Sequence, residues 1–293
     1  MQPRVVKTDD GVELYYEILE ADRPDAPVLL LANGLGGKLY AWEPLLERFA
    51  GAYRIVTWDY RGLFRSSQPT RDKDLAIVHH AADAFRVLDA EGIKTATLIG
   101  WSMGVQVGLE AALQCPSRID RLVLLNGTYG QAFQSALQPL TRVPFVPGLL
   151  HEVVERLLRD GSWVAGGIRA LVRSDLHVGA VGAVLDRAFG NPRLKDMYRQ
   201  YVYDVFGTSF PIYLRLFQEL DAHSVYHLLP QITQPTLVIS GGLDYLTPAL
   251  SSVAIARRIP DAEHLFLPFG THFALIEKPE RVLPRIASCL QGD

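Results

Sequence analysis

At 293 residues, with 48% hydrophobic and 21% charged side chains, the chain is long enough for one large folded domain with an insertion and too apolar for a disordered one. A net charge of −3 gives no general attraction to nucleic acid or an anionic membrane, no apolar run reaches the length of a membrane span, and the opening residues lack the apolar core of a leader. The two cysteines, Cys115 and Cys289, imply neither a disulfide framework nor a cysteine metal site, and a cytoplasmic protein is expected.

Residues 12–19 alternate apolar and polar, which predicts an antiparallel hairpin strand at the edge of a sheet. Residues 27–32 form a continuous apolar run, a buried strand, that empties into Asn33-Gly34-Leu35-Gly36-Gly37. A short amphipathic helix over 41–49, a buried strand over 54–58 and a second helix over 75–89 follow. Residues 95–100 are the next buried strand, Met103 to Gln114 a helix, and 121–125 another strand. Continuous apolar runs separated by helices indicate a mostly parallel central sheet flanked by helices, with ligands at the C-terminal ends of the strands.

After Asn126-Gly127 the rhythm breaks. Residues 128–234 read as helices punctuated by Pro144, Pro147-Gly148, Asn191-Pro192 and Pro211, without a clear buried strand. The strand rhythm returns over 235–242, followed by a helix over 248–258, a strand over 264–269 and a closing helix from Pro279. The division expected is a core of residues 1–127 and 235–293 with a helical cap, 128–234, inserted between its halves.

Gly100-Trp101-Ser102-Met103-Gly104 stands where the strand over 95–100 turns into a helix. Small neighbours let strand and helix converge on the serine, and the helix start offers amide donors and a positive dipole end to a developing anion. A serine hydroxyl needs a base, and the base needs an acid to hold its tautomer. Gly241-Gly242-Leu243-Asp244 supplies a carboxylate at one strand end and Gly270-Thr271-His272-Phe273 an imidazole at the next. The order Ser102, Asp244, His272 puts all three at one edge of the sheet. Among the other histidines, His264 starts its strand at the opposite edge, His79 and His80 sit within a helix, and His151, His177, His223 and His227 fall in the insertion. Asp59 and Arg61 read as a turn held by its own charge pair, and Asn126, an amide at a strand end, cannot be the anionic partner. The Met103 amide and, from the glycine loop, the Leu35 amide are the expected oxyanion donors.

These segments, "ANGLGG", "DYRG", "GWSMG", "GGLD" and "GTHF" in this order, resemble the α/β-hydrolases of the capped, single-domain esterase type over roughly residues 10–127 and 235–290. The resemblance implies an α/β-hydrolase fold with a helical cap, a serine hydrolase without metal or organic cofactor, and no stable membrane insertion. Two positions depart from the family pattern: Asn33 stands where histidine is common, and Phe64 where a second glycine often follows the D-x-R-G turn. Phe64 is therefore expected to line the pocket mouth.

The stretch from Tyr198 to Phe217 carries aromatics at 198, 201, 206, 210, 213 and 217, near-helical intervals that predict an apolar face turned toward the core, a ligand, or both. The expected substrate is a small to medium hydrophobic carboxylic ester, bound near Asn33, Gly34, Phe64, Trp101, Tyr129, Phe206, Phe210 and Phe273. Mixed charge in the cap offers an anionic substrate no clear anchor beyond Arg142, Arg169 or Arg173. The family layout equally permits lactone, thioester or carbon–carbon bond hydrolysis, and a ligand-binding receptor that keeps the scaffold is the rival from another class. Oligomeric state is not specified by these features.

Overall fold

A computed structural model describes residues 1–132, 146–160, 191–205 and 210–292, with scattered positions between 166 and 187. One eight-stranded sheet runs through it in the order β1-β2-β4-β3-β5-β6-β7-β8. The strands are β1 (Gln2–Lys7), β2 (Glu13–Leu19), β3 (Val28–Ala32), β4 (Arg54–Trp58), β5 (Ala96–Trp101), β6 (Ile119–Leu125), β7 (Thr236–Gly241) and β8 (Ala262–Leu267). β2 pairs antiparallel with both β1 and β4, and the remaining neighbours are parallel.

The residue-12 strand is thus antiparallel and in a hairpin, as its alternation indicates, yet it is not the edge. Residues 2–7 cover it as β1, whose short, charged and largely exposed sequence carries little hydrophobic signal. The parallel strands are buried on both faces, and β3 shows why they read as unbroken apolar runs. Leu30 and Ala32 join one cluster, with α2 (Ile77–Ala90) and α3 (Met103–Gln114); Leu29 and Leu31 join the other, with α1 (Glu43–Phe49) and the C-terminal helix over Pro279–Gln291.

From β3 the chain first steps outward to β4 and then returns to β5 on the other side, so the ends of β3 and β5 flank the crevice where an open α/β sheet binds ligands. Between β6 and β7 lie α4 (Val146–Asp160), α5 (Pro192–Val205) and α6 (Phe210–Ala222). Ile212, Leu216 and Leu220, one stripe of α6, are buried in the cluster shared with α2 and α3. The chain closes with α7 (Ala249–Arg258), α8 (Ala274–Glu277) and α9 (Pro279–Gln291). Among the described residues no helix is long and apolar enough to cross a membrane.

Candidate active site

Ser102 joins β5 to α3 with φ 56° and ψ −112°, a backbone that a non-glycine residue adopts only under constraint. The constraint is the close approach of neighbouring chain. A Cβ on Gly104 would lie 2.0 Å from the Ala32 carbonyl oxygen, and one on Gly100 2.2 Å from that of Gly104. The bend is tied down by the Ser102 amide donating to Leu125 at 3.0 Å and by Val105 donating to Ser102 at 3.0 Å.

Asp244 and His272 leave the ends of β7 and β8 and meet beside it. His272 Nδ1 lies 3.0 Å from Asp244 Oδ2, with both side chains buried. The same oxygen accepts from Thr247 Oγ1 at 2.7 Å and Asn126 Nδ2 at 2.9 Å, while Oδ1 accepts the Leu246 and Thr247 amides at 3.0 and 2.8 Å. Burial pushes this carboxyl upward, but the charge and hydrogen bond of His272 and the Thr247 donors outweigh it and hold the pKa below the usual aspartate value. Asp244 therefore stays ionised at neutral pH, with its carboxylate against the Nδ1 edge of the imidazole. The Trp101 indole donates to the His272 carbonyl at 2.9 Å and its ring packs on the imidazole, so the residue before Ser102 also locates the histidine. The loop bearing His272 is anchored by the buried Glu277, which accepts the Thr271 amide at 2.8 Å and the Thr271 hydroxyl.

Ser102, Met103, Leu35 and His272 line one cavity of about 350 Å³. The core adds Gln106, Leu246 and Thr247; the inserted segment adds Thr128, Ala132 and, from α4, α5 and α6, Val153, Val154, Tyr201, Tyr213, Leu214, Phe217 and Leu220. Of the aromatic stretch, Tyr201, Tyr213 and Phe217 both pack against the core clusters and line the cavity, whereas Tyr198 and Phe210 are not in its lining.

The other expected contact residues stand elsewhere. Asn33 is buried behind the glycine loop, where its side chain takes the Trp42 indole N–H at 2.7 Å and donates to Thr57 and Trp58 at 3.2 and 3.0 Å. It staples β3 to β4 and does not face the cavity. Gly34 packs on the Trp101 ring, and Phe273 lies tilted against Trp101 and edge-on to Tyr201, outside the cavity lining. Tyr129 pairs with Tyr226, and neither it nor Phe210 lines the cavity. Phe64 lies under Lys38 and lines a separate pocket of about 270 Å³ with Asp59 and Arg65, and it is not among the described residues that line the Ser102 cavity. Phe206, Arg142, Arg169 and Arg173 lie outside the described residues.

Arg61 does not pair with Asp59. Its guanidinium takes both Asp83 oxygens at 2.7 and 2.5 Å and Asp10 at 2.8 Å, locking the turn to α2, while Asp59 accepts the Arg65 amide at 3.1 Å. His264 bonds Ser240 at 2.8 Å and does not line the Ser102 cavity. Thr247 and Asn126, which hold Asp244, had weak signals in the sequence: a hydroxyl three residues past an aspartate, and an amide at the end of a neighbouring strand.

An eight-stranded, mostly parallel sheet with helices on both faces and a serine bend after its central strand defines a hydrolase of the α/β class. The chain belongs to the α/β-hydrolase fold family, whose sequence profile matches residues 27–279. A relative in Stutzerimonas stutzeri (strain A1501), named "Putative carbamate hydrolase RutD", is 27% identical over 274 residues, covering 91% of this chain and 92% of that one. A crystal structure of a hydrolase from Pseudomonas aeruginosa PA01 superposes with a TM-score of 0.76 at 27% identity and 98% coverage of both chains. The enol-lactonase from Burkholderia xenovorans LB400 shares the fold, with a TM-score of 0.75 at 22% identity, covering 98% of this chain and all of that one (100%).

Proposed function

We propose that this hydrolase cleaves carboxylic esters of small to medium hydrophobic molecules through an acyl-enzyme. Ser102 Oγ attacks the ester carbonyl as His272 Nε2 takes its proton, and Asp244 stabilises the imidazolium that forms. The tetrahedral oxyanion is held by the Leu35 and Met103 amides, each worth about 10² to 10³ in rate. His272 returns the proton to the leaving alkoxide, then deprotonates the water that attacks the acyl-Ser102 and regenerates the hydroxyl. Residues 128–234 act as the cap over the site, excluding water from it, and the two free thiols, Cys115 and Cys289, suit work in the cytoplasm.

The observation that carries this reading is the shared cavity: Ser102 and His272 lie in one predominantly apolar wall, with the far side of the imidazole on a buried carboxylate. A wall of Val, Leu and aromatic side chains favours an alkyl or aryl group over a small polar substrate. The name carried by the Stutzerimonas relative favours a second reading, carbamate hydrolysis, in which the same attack gives a carbamoyl-serine.

A fluorophosphonate probe tests the nucleophile, with stoichiometric labelling expected in the native protein and none in Ser102→Ala. A panel of p-nitrophenyl esters of rising acyl length, beside lactones, thioesters and aryl carbamates, tests the substrate. Short to medium acyl esters are expected to give the highest kcat/KM, lost by at least about 10⁴-fold in Ser102→Ala. Preference for carbamates would transfer the assignment to the second reading. Labelling without turnover of any member of the panel would favour a receptor.

A further inference from the structure

Building on the reading of the Leu35 amide as an oxyanion donor, we propose that Tyr201 is a positioning residue for that donor, its hydroxyl anchoring the Leu35 carbonyl, and through the shared Cα the Leu35 N–H, from the helix above the site. Tyr201 lies on α5, and its hydroxyl donates to the Leu35 carbonyl at 2.9 Å. That carbonyl belongs to the central peptide of a tight turn, closed by the Gly37 amide donating to Gly34 at 2.8 Å. Gly36, third in the turn, has φ +77°, the signature of a type II turn. Types I and II differ by a flip of this central peptide, which carries the Leu35 carbonyl and the Gly36 N–H, so a directional bond to its oxygen selects one of the two; the Leu35 N–H, on the preceding peptide, is held through the Leu35 Cα that the two peptides share.

The loop is gripped from both sides. Below it, the Trp101 ring occupies the space that a Cβ on Gly34 or Gly37 would need, at 2.7 and 2.6 Å. Above it, Val205 of α5 would stand 2.4 Å from a Cβ on Gly36, and Asp204 pairs with Lys38 at 3.1 Å. Packing and the ion pair press the loop down; the Tyr201 bond orients its backbone.

Because a carbonyl only accepts, Tyr201 donates to Leu35, and its oxygen is left to accept from Tyr213, the hydrogen-bonded phenol on α6. Burial raises both phenols above the usual tyrosine value, so both stay protonated in the working range. Both rings also line the cavity. A substrate seated against them therefore bears on the hydroxyl chain that ends at the oxyanion loop, and donor geometry depends on how well the cavity is filled.

Tyr201→Phe removes the hydroxyl and keeps the ring that packs against Trp101 and Phe273. For the best p-nitrophenyl ester, kcat is expected to fall about tenfold with KM within about twofold, since the lost interaction matters in the transition state and not in binding. Affinity for a trifluoromethyl ketone, which forms a tetrahedral adduct with the serine, should fall by the same factor, and affinity for the matching secondary alcohol should hold. Tyr201→4-aminophenylalanine, which restores an N–H donor at that point, should recover kcat to within about threefold of native. Unchanged kcat in Tyr201→Phe, or a rise in KM with equal losses for ketone and alcohol, overturns the proposal. Failure of the probe to label native Ser102 would sink the ester hydrolase reading itself; labelled Ser102 with a fully active Tyr201→Phe would sink only the role of Tyr201.

Discussion

Asp244 and Asp59 are both aspartates withdrawn from water at strand ends, and their surroundings drive them apart. Asp244 collects two amides, a hydroxyl, an amide side chain and an imidazole, which together overcome desolvation. Asp59 has the Arg65 amide and the more distant charge of Lys38 against strong burial, and its carboxyl is pushed up to about 6. A carboxyl raised on folding costs stability only where it is ionised in the folded state. The penalty is absent below the ordinary value of 3.8 and complete above about 6. Asp59→Asn is accordingly expected to raise the melting temperature at pH 7.5 by several degrees and to leave it unchanged at pH 3.5, read by calorimetry across that range. Residue identity in the sequence names a carboxylate; whether it is kept charged depends on partners brought from other strands.

At the scale of elements, α3 carries the serine bend at its N-terminus and a tie to the inserted helices further along. Gln106 and Glu110, one turn apart on α3, both reach His223, which follows α6: Nδ1 lies 2.9 Å from Gln106 Oε1 and Nε2 3.0 Å from Glu110 Oε2. Gln106 also donates to the Leu220 carbonyl at 3.2 Å, in the last turn of α6. The hydrogen bond from His223 is the largest influence on Glu110 and holds its carboxyl below the ordinary value of 4.5. A depressed carboxyl stabilises above its unfolded value, and the benefit disappears as pH falls through the folded one. Glu110→Gln should therefore cost about 1 to 2 kcal/mol at pH 7 in urea denaturation, and the gap from the native protein should narrow as the pH is taken below the ordinary value of 4.5. Helical periodicity identified α3 without difficulty, because its apolar stripe is local; His223, the cross-element partner of Glu110, is more than a hundred positions away and leaves no trace in any window of sequence.

At the scale of the whole molecule, the cavity exists because helices inserted between β6 and β7 cover the ends of β3, β5 and β8. α4 contributes Val153 and Val154 to its wall. Val154→Phe should shorten the usable cavity, moving the preferred p-nitrophenyl ester to a shorter acyl chain and lowering kcat/KM for the longest accepted one about tenfold, with the fluorophosphonate labelling rate preserved. A chain-length profile that does not move would place the acyl group away from α4.

What the amino-acid sequence by itself determined was the parallel sheet, the serine bend and the succession of strand-end loops carrying Leu35, Ser102, Asp244 and His272. Each is written in local pattern: buried parallel strands are unbroken apolar runs, and a strand-to-helix turn with no room for Cβ atoms demands glycines at fixed offsets. The tertiary structure alone decided that β1 covers the antiparallel edge, that Arg61 pairs with Asp83, that Asn33 faces inward, and that Tyr201, Tyr213 and Phe217, not Phe64, line the pocket. Those outcomes depend on which surfaces meet when distant segments pack, and an aromatic or polar residue has the same local signature whether it faces a core, a neighbouring loop or a substrate.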